Sequence, residues 1–131
     1  MADTAGSEMD LAHSQMSQAR EENARHRAAA EASATLDGMM ADVRTHDARM
    51  GEIARGIGSS VDRMSHCGMG MSRMRGVIVD MDAAMSRHSV EMAGLESSGD
   101  GRAECDRHFA GLEGMLDEMD DALDAMSGCG H

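Results

Sequence analysis

Proline, tryptophan, tyrosine and lysine do not occur in these 131 residues, and Phe109 is the one Phe, Tyr or Trp. The lack of proline leaves glycine and capping residues as the only helix punctuation. A single aromatic residue argues against a non-covalent haem pocket. All twelve positive charges are therefore arginine, and they are outnumbered by 24 acids to a net charge of −12. That balance opposes binding to nucleic acid or an anionic membrane surface and favours cationic partners. No run approaches the roughly 18 apolar residues of a membrane span, so none is expected. Three cysteines are too few for a disulfide scaffold, and the odd number leaves at least one thiol unpaired within the chain.

What the chain has in excess is methionine, sixteen residues of it, with seven histidines. Methionine is compatible with helices and polarizable, so it either fills irregular core space or offers sulfur to a ligand. Nothing alternates as a strand would, whereas apolar residues recur three or four apart along most of the chain.

Residues 1–7 are small and polar and read as a disordered start; 8–131 read as one helical domain. Met9, Ala12/His13, Met16 and Ala19 mark a first helix. A second phase runs through Leu36, Met39/Met40, Val43, Met50, Ile53/Ala54 and Ile57, with His46 on the same face. Carried backwards by sevens, that phase reaches Glu22 and Gln15, so the two stretches do not share a register. A break near Ser33–Asp37 is the simplest explanation, with Thr35 or Asp37 as N-cap. The alternative is a single long bent helix through residues 8–55, since nothing there forces a turn. Gly56-Ile-Gly-Ser-Ser60 reads as a stop, and residues 56–70 as helix or as a metal-shaped loop. Val61, Met64, Cys67/Gly68, Met71, Met74, Ile78, Met81, Met85, His88, Met92 and Leu95 then keep a regular heptad pattern. Ser97-Ser-Gly-Asp-Gly101 reads as the next stop. A last helix carries Cys105, His108, Leu112, Met115, Met119, Ala122/Leu123 and Met126 inward, and an acidic run from Glu113 to Asp124 outward. The expected fold is all-α, an antiparallel up-down four-helix bundle. The alternative is a long helical hairpin that dimerises.

Met64-Ser-His-Cys-Gly-Met-Gly-Met71 concentrates thioether, imidazole and thiol, the donors that Cu(I) prefers. With the third helix ending near Glu96 and the fourth starting near Arg102, Cys67 and His131 each lie 29 residues from the turn. One bundle end should therefore gather Met64, His66, Cys67, Met69, Met71, Cys129 and His131, with His13 and Met9 beside them. The same counting predicts a weaker second cluster of His88, Met92, Cys105 and His108 near the last turn, and a His26–His46 pair across the first hairpin. Zinc is the runner-up to copper, because two Cys and two His make a tetrahedral set. It gives no reason for so many methionines. A Cys67–Cys129 disulfide is the alternative at the bundle end. Met81, Met85, Met115 and Met119 read as core.

Gly-x-Ser-x-Gly, His-Glu-x-x-His, phosphate-binding glycine loops and the Cys-x-x-Cys-His of covalent haem are all missing, and no enzyme activity is expected. The Met/His/Cys-lined bundle resembles bacterial copper-binding and copper-storage four-helix proteins, and Met71-x-x-Met74 resembles the spacing in extracytoplasmic copper-resistance proteins. The Cys-x-x-x-Cys pairs of the storage family do not occur here. The resemblance implies copper tolerance, buffering or transfer, with a copper-delivering or copper-accepting protein as partner and a homodimer as a further possibility. Methionine stays a ligand in acid and under oxidising conditions, which places the expectation in the periplasm or cell envelope. No signal peptide is legible in the chain. The competing reading is a non-metal interaction bundle, which would need its methionines as an exposed stripe.

Overall fold

The computed structural model describes the backbone of residues 2–64 and 68–126 and the side chains of residues 8–64 and 71–126. Four helices, α1 (Ala2–Ala32), α2 (Leu36–Arg63), α3 (Gly68–Ala93) and α4 (Ser98–Met126), account for nearly all of it. Each helix packs on the next, α1 closes the ring against α4, and α2 meets α4 only across the diagonal. Short connections make neighbours antiparallel, giving the up-down bundle expected from the heptads.

Two of the turns are built from capping chemistry. Thr35 has extended backbone, and its Oγ1 accepts from the Gly38 N–H at 3.1 Å. Ser97 repeats the device, its Oγ accepting from the Asp100 N–H at 3.1 Å. Asp37 and Asp100 add negative charge to the positive ends of α2 and α4.

The Gly56–Ser60 stop is not one: α2 continues through it to Arg63. Each interior glycine costs about 1 kcal/mol of helix propensity. Burial of Ile57, Ser60 and Val61 outweighs that. The Gln15 side chain lies over Gly56, its Nε2 2.8 Å from where a Cβ would stand. Its Oε1 accepts from Ser60 Oγ at 3.1 Å, which ties α1 to α2. The next stop likewise falls earlier than expected, at 94–97, and Gly99 and Gly101 lie inside α4.

Gly101 is the second close approach. A Cβ there would meet Leu36 Cδ2 at 2.6 Å and Met39 Sδ at 3.0 Å. Gly101→Leu is therefore expected to cost ~1–3 kcal/mol by overpacking. A urea midpoint equal to that of the parent chain would show that the neighbours yield freely.

Most methionines are packing. Met81, Met85 and Met119 are buried as expected, and Met115 packs against the same core. The core is not continuous. One apolar cluster runs from Ala12, Met64 and Met126 to Met85 and Leu112. A smaller one holds Ala30, Met39, Val43, Met92, Cys105 and Phe109. Between them lies a layer of another composition.

Candidate metal centre

Along every helix the passage from one apolar cluster to the other crosses a histidine. On α1 it is His26, between Ala19 and Ala30; on α2 His46, between Val43 and Met50. On α3 it is His88, between Met85 and Met92; on α4 His108, between Cys105 and Leu112. All four are buried. Heptad geometry turns them inward with their apolar neighbours. The two hairpins are related by an offset of 62 residues, which carries His26 to His88 and His46 to His108. Under that offset every buried position of α2, from Met39 to Val61, falls on a buried position of α4. The four imidazoles thus meet at one level of a pseudo-twofold bundle.

Their rings are in contact. His26 stacks on His46 with centroids 4.9 Å apart, and His88 on His108 at 3.9 Å. His26 meets His88 and His108 edge-on at 6.2 and 6.1 Å, and its other side meets Phe109. Carboxylates orient two of the rings. The Nδ1–H of His46 donates to Glu22, a buried acid also reached by Arg25 and Arg49. The Nδ1–H of His88 donates to Glu104 Oε2 at 3.1 Å. Such bonds fix the tautomer whose Nε2 carries the lone pair and raise its basicity, as carboxylates do for metal-binding histidines.

His88 Nε2 faces sulfur. It lies 3.9 Å from Cys105 Sγ, which in turn is 4.0 Å from Met92 Sδ. On the other side of the layer, one ring nitrogen each of His26 and His108 and one carboxylate oxygen of Asp47 lie within 4.8 Å of one another. Ser89 Oγ donates to Asp47 Oδ2 at 3.3 Å.

Burial dominates the protonation of these groups. It pushes His26 and His108 down to about 3, helped by neighbouring imidazoles, and lowers His88 against the opposing pull of Glu104. The three rings are neutral at pH 7, the state in which imidazole ligates. Burial also lifts Asp47 to about 6 and the Cys105 thiol to about 11, with Glu104 the first of several acids that add to the latter. Nε2 of His26, Nε2 of His108 and Oδ1 of Asn23 are buried without a hydrogen-bond partner. Each such orphan costs ~1–3 kcal/mol, so three in one layer call for an explanation.

The solvent side is open in two places. A cavity of about 270 Å³ between α3 and α4 is lined by His88, His108 and Glu104 with Arg87 and Arg107. Another of about 420 Å³ between α2 and α3 is lined by Asp47, Arg55, Asp82 and Ser89.

Among the described residues the predicted second cluster is brought together: Cys105 meets His88 and Met92, and His88 stacks on His108. Counting from the turn was enough to find it. The His26–His46 pair also forms. Of the bundle-end group, Met64 and Met71 are buried in the larger core and Met9 packs against it, while His13 is exposed. His66, Cys67, Cys129 and His131, and the side chain of Met69, lie outside the described residues. Asp47 and Asn23 were missed. Glu22 enters the sequence reading only as a break in register, and Glu104 does not enter it. The signal that would have joined them is the spacing of 20 residues from His26 to His46, repeated from His88 to His108.

Among the described residues no helix is long and apolar enough to cross a membrane. Set against known protein families, curated proteins and solved structures, the chain matches none.

Proposed function

We propose that this protein binds copper as Cu(I), through His88, Met92 and Cys105, for copper tolerance, buffering or transfer. The observation that carries the reading is that Cys105 Sγ stands at ligand-to-ligand distance from both His88 Nε2 and Met92 Sδ. An ion roughly 2.3 Å from sulfur and 2.0 Å from nitrogen in a trigonal plane separates its donors by about 4.0 Å (S to S) and 3.7 Å (S to N). The side chains stand at 4.0 and 3.9 Å before any ion is considered. Thiolate, thioether and imidazole are the soft set that favours Cu(I) over zinc. Glu104 orients His88, and the stack with His108 holds the ring in place. The α3–α4 cavity supplies a path from solvent to His88. Cys105 would donate as thiolate, giving up its proton to solvent as the ion arrives.

Copper acquisition from, or release to, a second protein belongs to the same proposal, as does a periplasmic or cell-envelope setting. The donors at the bundle end would form a further soft set, on which this reading does not rest. The interaction-bundle alternative needed an exposed methionine stripe. Among the described side chains no methionine is exposed, and the exposed large apolar residues, Leu11, Val79 and Val90, are of other types.

An anaerobic Cu(I) titration of reduced protein against a chelating competitor, read by native mass spectrometry, tests the proposal. One tightly bound ion is expected, weakened ~100-fold or more in Cys105→Ala with Met92→Leu, since loss of an outer-sphere partner alone costs ~10–100-fold. Glu104→Gln should fall within that smaller range. Retention of tight binding in the double variant, with loss in Cys67→Ala and Cys129→Ala, would move the site to the bundle end. No competition even with a weak chelator would end the copper reading.

A further inference from the structure

The soft triad uses one side of the histidine layer and leaves the other without a role. There, His26 on α1, Asp47 on α2 and His108 on α4 bring two ring nitrogens and a carboxylate oxygen within 4.8 Å of one another. We infer that these three residues form a second metal site, for a borderline divalent ion such as Zn(II), separate from the Cu(I) triad.

Two independent observations carry this. The first is the donor set and its spacing. Two imidazoles and one carboxylate are the protein ligands of a four-coordinate zinc site that keeps one position open. Ligands at ~2.0–2.2 Å from a tetrahedral ion are about 3.3–3.6 Å apart, so separations of at most 4.8 Å close onto an ion by little more than an ångström. The second is the pair of orphans. His26 and His108 are 2% and 7% exposed, and the Nε2 of each has no partner. A helix position that needed only bulk would take leucine; two buried imidazoles with free lone pairs are what a cation would occupy.

The surroundings complete the site. Ser89 holds one Asp47 oxygen and so orients the carboxylate. Asp47 also lines the α2–α3 cavity of about 420 Å³, together with Asp82 and Ser86, which gives the open coordination position access to water. A monovalent ion on the Cys105 thiolate is neutral, and a divalent ion on Asp47 keeps one positive charge, with Asp82 on the wall of the same cavity as a further carboxylate. The two sites are adjacent across the His88–His108 stack.

The two sites differ in chemistry, so they can be tested apart. Metal-free, reduced full-length protein is titrated with Co(II) and followed by its visible ligand-field absorption, then with Zn(II) as competitor. One Co(II) per chain is expected, with the intense bands of a four-coordinate ion, displaced stoichiometrically by Zn(II). Asp47→Asn and His26→Gln should each weaken Co(II) and Zn(II) at least tenfold while leaving the Cu(I) affinity within about threefold. Cys105→Ala should do the reverse. Should His26→Gln fail to give the parent far-ultraviolet circular dichroism, Asp47→Asn, at a half-buried position, decides alone. The inference is overturned if no Co(II) binds, if binding survives Asp47→Asn unchanged, or if Cys105→Ala abolishes Co(II) binding too. Failure of Cu(I) binding with Co(II) binding intact would overturn only the function proposed above.

Discussion

Taken from pH 7.5 to pH 4.5, the metal-free protein is expected to lose roughly 3–5 kcal/mol of stability, a large part of the ~5–15 kcal/mol of a small domain. The cause is the histidine layer. In the unfolded chain His26 and His108 titrate near 6.5; in the bundle burial holds them at about 3. Between those values the unfolded state binds protons that the folded state refuses. Stability therefore falls as pH falls, by ~1.4 kcal/mol per unit for each histidine within the window. His88 acts in the same direction. Asp47 opposes them: raised to about 6, it holds a proton in the fold that the unfolded chain releases down to about 4, and so offsets about one histidine over that interval. Relief of surface repulsion in a chain of net charge −12 also opposes the loss, but exposed charges are largely screened at ordinary ionic strength. Urea midpoints from far-ultraviolet circular dichroism at half-unit pH steps would measure the slope. His26→Leu with His108→Leu should flatten it. A midpoint constant from pH 7.5 to pH 5 in the parent chain would contradict the neutral, buried state assigned to these rings.

The second large effect is a gain. An ion that binds only the folded state, at a free concentration a thousand times its Kd, stabilises by ~4 kcal/mol. For a chain of 131 residues that corresponds to a rise in Tm of about 12–20 °C. Anaerobic calorimetry with and without buffered Cu(I) should show such a rise in the parent protein and little of it in Cys105→Ala with Met92→Leu. The rise should also grow with pH. The Cys105 thiol, held at about 11, is protonated at neutral pH, and the ion must displace that proton. Apparent affinity is thus expected to increase ~10-fold per unit between pH 7 and 9. A Tm indifferent to Cu(I) at every pH would leave Cys105 and Met92 as packing residues.

How far the site could be read in advance differs from residue to residue. Cys105, His108, His88 and Met92 were accessible because they flank one turn. In an antiparallel pair, distance from the turn converts directly into height, and an error of a few residues in the turn does not part neighbours so close to it. The bundle-end prediction counted 29 residues from the same turn, and the turn lies a few residues earlier than 97–101. Glu22 is buried, whereas its fall on the core face of the α2 phase reads in the sequence as a conflict of registers. A buried acid looks like an error of phase until its partner is known, and the partner, His46, is on another helix.

The sequence by itself determined the all-helical class, the inward face of each helix and the burial of most methionines, and it narrowed the cap of α2 to Thr35 or Asp37. All are set within one or two turns of chain, by period, propensity and hydrogen bonds to nearby backbone. Only the tertiary structure decided that Gly56–Ser60 is helical, because the compensating burial comes from α1 and α3. It alone decided, too, that four histidines, one per helix, meet in one layer between two apolar clusters. A heptad pattern assigns a histidine to the inside but carries no information on height relative to three other helices. That height follows from where each helix gives way to the next and how closely Leu36 and Met39 pack over Gly101. These are distances between parts of the chain that no local pattern encodes.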